Sequence, residues 1–107
     1  MSIRLTKPWS PASAAGKLPG QMGVYQLGDE AGNVITIGYA GGRSTFGLRG
    51  EVETALQRHP DAVSYRVEVN SAYLSRYREL LMVHLADFGT LPPGNEALPG
   101  LGRLSPA

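Results

Sequence analysis

Apolar and polar positions change their period several times along the chain, and each change marks an element. Across residues 63–69, Val63, Tyr65, Val67 and Val69 alternate with Ser64, Arg66 and Glu68, the period of a strand with one buried face. Residues 22–27 and 34–39 are rich in β-branched and aromatic side chains, and Gly28-Asp29-Glu30-Ala31-Gly32-Asn33 between them is turn chemistry, so the two runs predict a β-hairpin. Leu48, Val52, Ala55 and Leu56 recur at helical spacing, which predicts a helix capped by Ser44 or Thr45, running to about Arg58 and broken by His59-Pro60-Asp61. Leu74, Tyr77, Leu81, Leu85 and Phe88 form the stripe of a second, longer helix, capped by Asn70 or Ser71 and stopped by Gly89. The order strand, strand, helix, strand, helix predicts an α/β chain of the α+β type, a small three-stranded antiparallel sheet flanked by helices.

The ends read differently. In residues 1–21, Pro8, Pro11, Pro19, Gly16 and Gly20 interrupt any regular backbone, which predicts an irregular N-terminal arm anchored by Trp9. Residues 22–95 form the domain, and the proline-containing stretch 96–107 is expected to be an irregular tail.

Within the hairpin, pairing Leu27 with Val34 would set Tyr25 directly opposite Thr36 on one face, with Val24, Ile35 and Ile37 on the other. Tyr39, at an odd separation from Thr36, is then expected on the face away from Tyr25, unless the chain bends at Gly38. Gly38-Tyr39-Ala40-Gly41-Gly42 reads as a tight connection; it carries neither the GxGxxG pattern nor the lysine of a phosphate-binding loop.

Composition narrows the chemistry. At 107 residues the chain fits one domain. The absence of cysteine excludes a disulfide framework, a thiolate nucleophile and a cysteine-based zinc site. No apolar run reaches the roughly 18 residues that span a membrane, so the expectation is a cytoplasmic protein. The formal net charge of +1 is not the footprint of a strongly basic nucleic-acid binder. Yet Arg43, Arg49, Arg58, Arg66, Arg76 and Arg78 all fall mid-chain, and arginine suits bidentate phosphate contact. His84 has no second histidine one turn away to make a metal pair. Arg49 and Glu53 stand one helical turn apart, the spacing of an ordinary surface ion pair.

Gly23-Val24-Tyr25 opening one strand and Thr36-Ile37-Gly38 in the next, followed in order by Arg49, Glu79 and Asn95, resemble the GIY-YIG nuclease superfamily over roughly residues 23–95. The resemblance implies the β-β-α-β-α fold and a divalent-metal-dependent endonuclease that hydrolyses phosphodiester bonds in DNA, or in RNA. By that likeness Tyr25 would be the general base or would position the water, Arg49 would hold the scissile phosphate, and Glu79 would bind one Mg2+ or Mn2+ ion. Thr36 and Tyr39 would support catalysis, and Arg43, Arg76 and Asn95 would contact nucleic acid. The chain departs from the pattern at Thr36, where the family has its second tyrosine. That departure implies an alternative: a catalytically degenerate module that keeps the fold and binds nucleic acid or a protein partner. In the enzymatic case a protein partner or an intrinsic structure preference would choose the target, because phosphate contacts carry no sequence information.

Overall fold

A computed structural model describes residues 5, 8–42 and 44–95. Four strands, β1 (Ser10–Pro11), β2 (Gly23–Gly28), β3 (Val34–Ala40) and β4 (Ser64–Val69), form one antiparallel sheet in the order β1-β4-β2-β3. Two helices, α1 (Gly47–Arg58) and α2 (Tyr73–Phe88), complete an α+β fold, and β2-β3-α1-β4-α2 follow in the order read from the sequence. The sheet has one strand more than the three expected. The addition, β1, lies in the proline-rich arm and pairs with the outer side of β4, an edge position where the missing N–H of Pro11 costs no ladder bond.

The sheet divides the core in two. On one face, Tyr25, Leu27, Ala40 and Tyr65 pack with Leu48, Val52 and Ala55 of α1, and with Ala15 of a short 3-10 helix, Ala12–Lys17. Residues 12–18 of the arm are therefore part of the packed domain. On the other face, Val24 and Ile37 pack with Leu80 and Leu81 of α2 and with Leu5. Trp9 covers the sheet margin, with the Arg66 guanidinium 4.2 Å from its ring centroid.

The hairpin register differs from expectation by two residues. Tyr25 pairs with Gly38, and Thr36 pairs with Leu27, because an irregularity between Leu27 and Gly28 takes up an extra residue beside Val34. The Asp29 carboxylate fixes the turn by accepting the N–H groups of Ala31 and Asn33 at 3.0 and 2.9 Å. An even shift preserves the faces, so Val24 and Ile37 still oppose Tyr25.

Both helix starts also depart from expectation. The residue before α1 is Phe46, with no side-chain cap, while the Ser44 hydroxyl accepts the Gly41 N–H at 3.1 Å and donates to Glu51 at 2.8 Å. Before α2, Asn70 accepts the Ala72 N–H at 2.8 Å, one turn short of the helix proper. Gly89 ends α2 in the left-handed conformation (φ 74°), as expected of a glycine stop. The buried stripe of α2 runs through Tyr73, Tyr77, Leu80 and Leu81, whereas Leu74 and Phe88, expected in the core, are exposed. Among the described residues, no helix is long and apolar enough to cross a membrane.

Candidate binding pocket

Strand β3 is the free margin of the sheet, and side chains from both faces meet there. Gly38 makes this possible. The ring of its partner Tyr25 lies across it, so close that a Cβ on residue 38 would collide with Cζ and the hydroxyl of the phenol. Tyr25 thus reaches over the edge strand from the α1 face. Tyr39 leaves β3 on the opposite face, as its odd spacing predicts, and packs against Tyr73 (centroids 5.6 Å apart, stacked) and Tyr77 (5.0 Å, tilted) of α2.

Together these residues line a concave pocket of about 690 Å³, closed by Ile37, Leu74, the Gly41-Gly42 turn, Ser44 and Glu51. Tyr25 is buried, and its pKa is pushed up to about 12, chiefly by desolvation and further by the nearby Glu51 and Tyr77; Arg58 opposes the shift. Burial likewise raises the Tyr77 phenol, against a hydrogen bond with Asn95 that lowers it. The turn donors are already used: Gly41 N–H bonds to Ser44, and Gly42 N–H to the Tyr73 oxygen at 3.4 Å. A turn so satisfied is no phosphate cradle.

Asn95 sits just behind the pocket and ties the chain to β3. Its carbonyl oxygen accepts the Ile37 N–H (2.8 Å) and the Thr36 hydroxyl (3.1 Å), and its amide donates to the Ile37 carbonyl (2.8 Å). One amide side chain thereby completes a ladder step on the edge strand, beside the Gly94 N–H, which donates to the Ile35 carbonyl at 2.7 Å.

The remaining expected site residues lie elsewhere. Arg49 is half-buried on α1 with its guanidinium 5.8 Å from the Phe46 ring centroid, and it does not line the pocket. Glu79 pairs with Arg76, which also holds Glu68 at 2.8 Å, and Glu79 does not line the pocket either. Arg76, expected to contact nucleic acid, is only 9% exposed. Burial lowers its pKa, but the bonds to Glu68 and Glu79 outweigh this and raise it. Arg43 lies outside the described residues. Tyr25 and Glu79 therefore do not share this pocket. Nor, among the described residues, are three or more histidine, cysteine, aspartate or glutamate side chains grouped to hold a metal ion elsewhere.

Glu51, Tyr73 and Tyr77 enter the pocket without having been singled out in the sequence. A helix advances about 100° per residue, so Arg49 and Glu51 flank the Leu48-Val52 stripe on opposite sides, and Tyr77 and Glu79 face nearly opposite ways. The wheel shows both flanks but not which one meets the β3 margin.

No curated protein matches the chain. Residues 3–87 match a family described as a domain of unknown function, DUF7508, and the chain belongs to that family.

Proposed function

We propose that this chain is a binding module on a β-β-α-β-α scaffold, acting in the cytoplasm, whose binding centre is the tyrosine pocket at the β3 margin. One observation carries this reading: Tyr25 shares its pocket with Tyr39, Tyr73, Tyr77 and Glu51, with Arg58 near enough to oppose its pKa shift, while Arg49 and Glu79 are engaged on other surfaces. A phenol pushed up to about 12 by burial and a neighbouring carboxylate is a poor base at neutral pH. Aromatic walls with a few convergent polar groups are the ordinary composition of a ligand site.

A second reading, a metal-dependent endonuclease of the GIY-YIG type, is favoured by the position of Asn95 beside Thr36 and Tyr77, which fits the ordered motif in the sequence. The test is to incubate the full chain with plasmid, branched and single-stranded DNA and with RNA, with and without magnesium or manganese, beside Arg49→Ala and Glu79→Ala. The binding-module reading expects no metal-dependent cleavage. Cleavage that requires metal and disappears in both variants would establish the hydrolase instead.

A further inference from the structure

The chemistry of the pocket lining points to the charge of its occupant. Its aromatic members present π-faces that carry partial negative charge, and Tyr39, 39% exposed, is the ring through which the cluster meets solvent. Among the described lining residues the one ionic group is the Glu51 carboxylate, held in place by the Ser44 hydroxyl at 2.8 Å. The N–H groups that would welcome an anion, those of Gly41 and Gly42, are spent on Ser44 and Tyr73. Phenol oxygens, ring faces and a carboxylate around one cavity attract a cation. The rings favour one that is large and weakly hydrated over a metal ion, which would keep its water.

We infer that the pocket takes an alkylammonium group, a quaternary or methylated ammonium seated against Tyr39 and Tyr73 with Glu51 as its counter-charge. The inference rests on the reading of this pocket as the binding centre and adds the class of ligand. The same group is found on a free small molecule and on a methylated lysine side chain. At about 690 Å³ the pocket admits either.

The test follows backbone amide shifts of the isotopically labelled full chain, above all Gly38, Gly41, Gly42 and Ser44. Four probes are added in turn: choline, a peptide carrying trimethyl-lysine, 3,3-dimethyl-1-butanol as the neutral isostere of choline, and inorganic phosphate. Choline is expected to give saturable shifts at these amides, with the neutral isostere weaker by about 5- to 30-fold, the factor expected of a cation–π contact. Glu51→Gln and Tyr39→Leu should each weaken choline several-fold while the remaining spectrum stays folded. Tighter binding of the peptide supports the proposal and assigns a protein partner; equal or tighter choline binding supports it and assigns a small molecule. Equal affinity for choline and its neutral isostere overturns it, as does the lack of any saturation by either cation up to about 0.1 M. Phosphate binding at the same amides would also overturn it, yet would leave the pocket standing as a binding centre. DNA cleavage would instead remove the reading beneath it.

Discussion

Tyr25 and Gly38 are cross-strand partners, and the phenol ring occupies the space where any side chain at position 38 would begin. This one contact lets an aromatic residue on the α1 face reach the pocket beyond the edge strand. Replacing Gly38 by alanine forces the ring aside within a packed core, at an expected cost of about 1–3 kcal/mol. Thermal denaturation of Gly38→Ala, Tyr25→Ala and the double variant checks this. The double variant should be less destabilised than the sum of the singles, because the collision vanishes with the ring. Strict additivity would show that the two positions do not share this space.

Asn95 offers a second test. Truncation to alanine strips partners from the Ile37 N–H and carbonyl, the Thr36 hydroxyl and the Tyr77 phenol. The expected loss is about 1–3 kcal/mol in a denaturant titration, with faster amide exchange at Ile37. Asn95→Asp should recover little, since a carboxylate cannot donate to the Ile37 carbonyl.

The period of the sequence made most of this fold legible. Alternation from Val63 to Val69, the turn chemistry after Leu27 and the glycine stop at Gly89 each act through local backbone geometry, and β2, β3, β4 and both helices stand where those signals put them. What depends on one residue's choice of partner was not legible. The irregularity beside Gly28 moves Tyr25 from Thr36 to Gly38, and no local preference encodes it. The two-residue strand β1, paired with β4, hides in a stretch whose prolines speak against structure. In the site, Tyr25, Tyr39 and Asn95 were singled out by motif and spacing and converge at the β3 margin. Glu51 and Tyr77 were not, because they share their helices with Arg49 and Glu79 and only tertiary packing chooses between opposite flanks.

The buried phenol makes a prediction about pH. Folding raises the Tyr25 pKa from 10.0 to about 12. The native state therefore holds its proton through a window in which the unfolded chain releases it. The stabilisation this represents is fully present below pH 10 and is lost as pH rises from about 10 towards 12, by roughly 2–3 kcal/mol in total. Tyr77 shifts in the same direction and adds to the slope. Phenolate absorbance of the folded protein should show a late-titrating tyrosine that disappears in Tyr25→Phe, and that variant should lose less stability over the same window.

The ion pairs of Arg76, where α2 meets Glu68 of β4, are expected to serve stability alone. Arg76 is buried between Glu68 and Glu79, so Arg76→Ala should cost about 1–3 kcal/mol by leaving charge-assisted bonds unmade. Glu79 is half-exposed, and Glu79→Gln should change stability by less than about 1 kcal/mol. Neither substitution should alter ligand shifts at Gly41 and Gly42; calorimetry and the amide titration read the two effects separately.

The central claim, that the chemistry around Tyr25 is that of tyrosines and Glu51 and not of a metal held with Glu79, meets its most direct test in paramagnetic relaxation by manganese. Substoichiometric Mn2+ added to the labelled full chain should leave the amide signals of Tyr25, Gly38 and Gly41 no broader than those of the rest of the domain. Selective broadening centred on those residues and on Glu79, abolished by Glu79→Gln, would contradict the account.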